Sequence, residues 1–204
     1  MGGAASQSMV EARRADYANL AEVLVRAFWL DPFHQWLFPD QATRQASQRL
    51  LFDRVLAIYG RHGVVYTTPD QAGCAMWDPP RSGGPSLVEL LGFVFRVLPV
   101  FGRRAFHVAR GMAPMAALHP GEPHWYLSIL GTDPARQKSG VGASLLVPIL
   151  GRCDEDGTSA YLEASRIENV PYYERFGFEV VAPLAMPEGG PVVYRMKREP
   201  RARA

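Results

Sequence analysis

Lysine is almost absent from this chain: Lys138 and Lys197 are the only two among 204 residues. Arginine carries nearly all the positive charge, which reads as a coding bias. The net charge is +2, so the balance argues for neither a nucleic-acid nor a membrane-surface partner. Cysteine is scarce. Cys74 and Cys153 form no CxxC pair and have no histidines at ligand spacing, so neither metal nor redox chemistry is signalled. Long hydrophobic runs are missing. The least polar stretch, Leu87 to Phe101, is interrupted by Glu89 and Arg96 and is too short to span a bilayer. The first residues, MGGAASQSMVEARRADY, lack the apolar segment of a signal peptide. A soluble, reducing, cytoplasmic setting without metal is the expectation.

What is present is a chain 48% hydrophobic, enough for a sizeable core without disulfides. Residues 1–8 read as a disordered leader, 9–199 as one domain and 200–204 as a frayed tail. Met9–Arg14 suits an edge strand. Asp16 reads as the N-cap of a helix to Phe28, with Leu20, Val23, Leu24 and Ala27 on one face. Asp31-Pro32 breaks it. Phe33–Phe38 reads as a short helical turn, and a helix from Ala42 to Arg61 carries Leu50, Leu51, Val55, Leu56 and Ile58 before Gly63 stops it.

Strands are expected at Val64–Thr67 and Ala72–Trp77, followed by a Pro/Gly linker, 79–85. A helical insertion, 86–118, follows, broken near Pro99 and Pro114. Leu87, Leu90, Leu91, Val94, Val97, Leu98 and Phe101 make it apolar on most of its circumference, with Glu89, Arg96 and Arg103 as one polar stripe. Such a helix needs burial on two sides, against the core and then against an acceptor pocket or a second copy of the chain. Next come a strand, His124–Thr132, a helix, Gly140–Asp154, a strand, Ser159–Ala164, a short helix, Asn169–Phe176, and closing strands at Phe178–Val181 and Val192–Lys197. Strands alternating with helices define an α/β class with a mixed sheet.

The most informative segment runs from Leu130 and Gly131 to Leu146. A strand ends, a tight loop carries Gln137 to Gly142, and an apolar helix begins. Amides at a helix N-terminus bind anionic oxygen without side-chain charge. Gly140 and Gly142 let the backbone approach a pyrophosphate closely. No Gly-Lys-Ser/Thr follows, so this is not a Walker loop, and GxGxxG is missing, so it is not a dinucleotide fingerprint.

Thr132-Asp133-Pro134-Ala135-Arg136-Gln137-Lys138-Ser139-Gly140-Val141-Gly142 resembles the coenzyme A loop of the GCN5-related N-acetyltransferase (GNAT) superfamily, V-x-P-x-x-(Q/R)-x-x-G-x-(G/A). Tyr161–Ser165, Asn169 and Tyr173-Glu174-Arg175-Phe176-Gly177-Phe178 resemble the block that follows it in the family. His124–Leu127 and Leu162-Glu163-x-Ser165 resemble the branch containing puromycin N-acetyltransferase, which brings antibiotic modification into view. The likeness covers residues 124–181, with a looser echo in Asp31-Pro32 and Trp36. Lys138 stands where the family has glycine, and Thr132 where it has valine.

The resemblance implies a twisted, mixed, six- to seven-stranded sheet with helices on both faces and the insertion before the fourth strand. Two strands would splay near Thr132 to admit pantetheine. It also implies acetyl-CoA as co-substrate, a small-molecule amine acceptor, and direct attack without a covalent enzyme intermediate. A non-catalytic acyl-CoA-binding module and a protein N-terminal or lysine acetyltransferase are the alternatives. Leu130, Gly131, Thr132, Gln137, Lys138, Ser139, Gly140, Val141, Gly142 and Asn169 would hold the cofactor.

Tyr173 would protonate the leaving thiolate, with Tyr172 turned about 100° away into the core. Glu163 would be the base, or else half of an ion pair with Arg166 or Arg175, since a carboxylate ending an apolar strand needs a task or a partner. His124, Tyr126 and Ser128 alternate onto one strand face that could hold a proton-relay water. Trp29, Phe33, Tyr126 and Ser128 are the candidate acceptor contacts.

Overall fold

The computed structural model describes residues 8–80, 92 and 95–201. Seven strands form one sheet in the order β1-β2-β3-β4-β5-β7-β6. They are β1 (Val10–Glu11), β2 (Val64–Thr67), β3 (Gly73–Asp78), β4 (His124–Thr132), β5 (Ser159–Ala164), β6 (Glu179–Ala185) and β7 (Val192–Arg198). Every pairing is antiparallel except β4 with β5. The helices are α1 (Tyr17–Ala27), α2 (Pro32–Leu37), α3 (Gln41–His62), α4 (Ala105–Ala117), α5 (Val141–Asp156) and α6 (Val170–Glu174).

The period-2 alternation of the strands divides the core between the two sheet faces. On β3, Cys74 and Met76 pack with α1 and α3 (Leu20, Leu24, Phe52, Leu56). Ala75 and Trp77 pack on the opposite face with α5 (Leu145, Leu146, Ile149) and with Tyr173 and Phe178. On β4, Trp125 and Leu127 join the α5 face. Their neighbours His124, Tyr126 and Ser128 therefore look the other way, as their spacing predicts.

Several local expectations are corrected. Asp16 makes no side-chain bond to the helix it precedes. Its carboxylate accepts the Arg13 amide at 2.8 Å and Gln71 Nε2 at 2.8 Å instead. Leu50 is 42% exposed, and Phe52 and Tyr59 complete the buried face of α3 in its place. The insertion is not broken at Pro114, which lies inside α4. The helix gives way at Pro99, as expected, to a 3-10 segment, Leu98–Arg104, and a second kink falls inside that segment at Gly102, where φ is +50°, before α4. Leu87, Glu89, Leu90, Leu91 and Val94 lie outside the described residues, as do most of the leader and the end of the tail. Val97 and Phe101 are buried as expected. No helix among the described residues is long and apolar enough to cross a membrane.

Candidate active site

The parallel pair β4–β5 is registered from His124↔Ser159 to Leu127↔Leu162 and no further. The β5-facing edge of β4 is therefore free from Ser128 onward, four residues earlier than the expected opening near Thr132. A cleft of about 820 Å³ enters there from the α5 side. A chamber of about 320 Å³ lies on the α1–α3 side. Phe28, Asp31, Leu130, Asn169 and Tyr173 border both spaces, so the two meet at these residues.

The loop that enters α5 is pinned from below. The Asp133 amide donates to the Ala72 carbonyl at 2.9 Å. The Asp133 carboxylate accepts Arg26 Nη2 at 2.5 Å, and that bond holds it below the usual carboxylate range. Arg136 pairs with Asp70 at 2.6 Å. Gly140 caps α5 at φ +91°, and no side chain bonds the first amides of the helix. Those amides remain available to an anion.

At Gly142 a β-carbon would stand 2.5 Å from the Tyr172 hydroxyl. Lys138 takes φ +62°, in the left-handed region that favours glycine, against a steric cost of about 1–2 kcal/mol. Gln137, Lys138, Gly140, Val141, Gly142, Leu130, Gly131, Thr132 and Asn169 all line the cleft, as anticipated. Ser139 does not line it; its hydroxyl donates to the Arg136 carbonyl at 2.6 Å. Asn169 stands at the N-cap of α6 but makes no side-chain cap bond, which leaves its amide to the cleft.

Arg136, Arg166 and Arg175 also line the cleft, so with Lys138 four cations surround it. Arg166 and Arg175 are not partners of Glu163. Arg166 pairs with Glu168 at 3.5 Å, and Arg175 lies 5.0 Å over the Tyr172 ring. Tyr172 packs against the core on the α5 face, as expected, but also lines the cleft, and burial pushes its phenol up to about 12.

Tyr173 is the more buried of the two tyrosines, at 9% exposure. Its ring packs edge-on against Tyr172 and Phe178 at 5.3 and 6.0 Å. Burial, then the charges of Tyr172 and Asp31, raise its phenol well above the ordinary value. The group thus stays protonated at neutral pH, as a proton donor must.

Glu163 projects from β5 toward the chamber with a side chain only 5% exposed. No hydrogen bond from a described residue reaches its Oε2. His119 Nδ1 stands 3.9 Å from its Oε1. Burial and the Glu163 charge raise the phenols of Tyr126 and Tyr161 beside it. Tyr126, Ser128 and Phe33 line the chamber with Phe52, Phe101 and Met112. Trp29 does not line it; Arg44 stacks over its ring at 5.4 Å.

Two chamber residues were missed. Asp31 is 5% exposed; one oxygen caps α2 through the Phe33 and His34 amides, and the other accepts the Ser165 hydroxyl at 2.5 Å. Asp31-Pro32 was visible as a helix break, but the aspartate's contact across 134 residues was not. His34 is buried between Phe28 and Phe52, and burial lowers it to about 4. Cys74 and Cys153 are buried, and burial raises both thiols, Cys153 to about 11. Neither lines the cleft or the chamber. Among the described residues no cluster of metal-ligating side chains forms.

A strand pair opened at its middle, over an uncapped helix start ringed by cations, forms a cleft suited to an anion and joined to the chamber. Residues 105–199 match the model of the acetyltransferase (GNAT) domain. An uncharacterized N-acetyltransferase of Schizosaccharomyces pombe is 28% identical over 180 residues, 83% of this chain and 72% of its own length.

Among solved structures, a histone acetyltransferase HPA2 and related acetyltransferase from Corynebacterium glutamicum shares the fold. Its TM-score is 0.71 at 24% identity, over 97% of this chain and 98% of its own. Arylalkylamine N-acetyltransferase 2 from Aedes aegypti does so at TM-score 0.58 and 10% identity, over 95% and 98% of the two chains. The match over residues 105–199, the related N-acetyltransferase and the shared fold together support an acetyltransferase domain of the GNAT type.

Proposed function

We propose that the protein moves an acetyl group from acetyl-CoA to a primary amine of a small molecule by direct attack. The observation that carries this reading is the junction at Tyr173 and Asn169, which joins a cationic, amide-lined cleft to a mostly apolar chamber bordered by Glu163. The residues present fit acetyl-CoA. The α5 amides and Lys138, Arg166 and Arg175 suit its phosphates, and the uncapped Asn169 amide and the free edge of β4 suit its pantetheine. When bound, it supplies the thioester carbonyl that the amine attacks.

The chain's own residues handle the protons. A primary alkylamine titrates near 10, so about one part in a thousand is free at pH 7, and freeing it costs about 4 kcal/mol. Glu163 recovers part of that by taking the proton, directly or through a water in the chamber. Tyr173 gives a proton to the departing thiolate. Oε2 of the buried carboxylate has no hydrogen-bond donor among the described residues, which leaves that oxygen open to accept a proton.

The chamber volume of about 320 Å³ suits a small molecule rather than a protein segment. The likeness to the puromycin N-acetyltransferase branch places aminonucleosides among the acceptors to try. The test is a panel of arylalkylamines, aminonucleosides and aminoglycosides assayed for coenzyme A release from acetyl-CoA. Release with one class and a mass gain of one acetyl on that amine is expected. Tight coenzyme A binding by calorimetry with no amine turned over would point to a binding module.

A further inference from the structure

We infer that His119, with His124 behind it, is the exit route for the proton that Glu163 collects; this rests on the acetyltransfer reading above. The balance of the reaction demands an exit. An ammonium and a thioester become an amide, a thiol and one free proton. The nitrogen sheds two protons and the thiolate retains one, so one must reach solvent in every cycle. Glu163 is 5% exposed at its side chain and cannot release it directly.

A third cavity, of about 330 Å³, opens from Glu163 toward the end of α4, with His119, Tyr126, Met115 and Ala116 on its wall. The His119 side chain is 33% exposed, and Nδ1 stands 3.9 Å from Glu163 Oε1. That span suits one bridging water or a small swing of the ring.

The histidine tautomers follow from geometry. His124 Nδ1 lies 2.7 Å from the Glu122 carbonyl oxygen, which only accepts, so Nδ1 carries the hydrogen. Burial lowers the pKa of His124, and the ring is neutral, so its Nε2 is an acceptor. His119 Nε2 is 3.0 Å from that atom and must donate to it. With its hydrogen at Nε2, the His119 ring presents its lone pair at Nδ1, facing Glu163. A proton moving from the Glu163 carboxyl to this lone pair makes an imidazolium that keeps its bond to His124 and loses the added proton to solvent.

The groups facing His119 are Glu163 and Tyr161 from β5, Tyr126 and His124 from β4, and Glu122 from the preceding turn. From β7, Arg195 donates to the Leu118 carbonyl and Lys197 binds Glu122. The α4 residues on this cavity are apolar or small.

The experiment is H119Q, which can still donate to His124 but cannot carry a proton through. In weak buffer its kcat should fall about tenfold, at the low end for proton transfer, with the KM for acetyl-CoA within about twofold. Added imidazole should restore most of the loss in H119Q and leave the parent unchanged. A parent-like kcat, or a loss that imidazole does not relieve, overturns the relay while the parent's own turnover keeps the acetyltransfer reading intact. A second readout needs no turnover: long-range nitrogen–proton spectra of the parent should show His119 protonated at Nε2 and His124 at Nδ1. Reversed tautomers overturn the relay whatever the activity, whereas a parent that acetylates no amine refutes the reaction itself.

Discussion

Tyr173→Phe isolates the acid. The hydroxyl makes no hydrogen bond with a described residue, and the ring is held by Tyr172 and Phe178. Removing one oxygen therefore leaves no partner orphaned, and stability should move by less than about 1 kcal/mol. Catalysis should suffer more. Burial keeps the phenol protonated across the working pH range, so the parent has its donor in place in every cycle. General-acid residues contribute about a hundredfold or more, or about 2.7 kcal/mol. The cleft and the chamber meet at Tyr173, so water can enter and supply part of the proton, which widens the expected fall in kcat to about ten- to a thousandfold. Coenzyme A affinity should change by less than about threefold, because the phosphates are held elsewhere. The assay is single-turnover acetylation, which removes product release from the comparison, with calorimetry for cofactor binding. A single-turnover rate equal to the parent's would remove Tyr173 from the mechanism.

Other perturbations separate the parts of the site. Gly140→Asp and Gly142→Asp place a carboxylate where the anion would lie, the second also driving a β-carbon against Tyr172; calorimetry should show coenzyme A binding weakened at least about tenfold, and parent-like binding by both would misplace the cofactor. Phe101→Ala opens the wall that stacks on Phe38; the acceptor's KM should rise about tenfold while that of acetyl-CoA holds, at a cost of about 3 kcal/mol in stability by urea denaturation. Phe95 is 75% exposed and borders a surface notch away from the chamber, so Phe95→Ala should leave both constants unchanged.

His34 titrates near 4 when folded and near 6.5 unfolded. The unfolded chain therefore binds the extra proton first, and stability is full above about pH 6.5 and falls toward pH 4. The drop between pH 7 and pH 5 should be about 2 kcal/mol. His34→Phe should flatten that acid limb in urea midpoints, and an unaltered limb would show that another group sets it.

The sequence by itself determined the elements and the cofactor loop, because both rest on short-range rules. Period-2 alternation sorted Cys74 and Met76 from Ala75 and Trp77. The strand–loop–helix sequence around Gly140 and Gly142 requires only local backbone geometry. Tyr173 and Glu163 were candidates on the resemblance, and the elements that carry them put Tyr173 at the junction and Glu163 on the chamber.

What surrounds them was decided only by tertiary structure. Glu163 faces His119, not Arg166 or Arg175, because the segment after α4 lies across β4 and β5. Asp31 meets Ser165 across the opening of the sheet. Trp29, one residue beyond the Phe28 wall, turns outward to Arg44. Each is a side chain whose neighbours come from distant parts of the chain, and no period or spacing along the sequence encodes that packing.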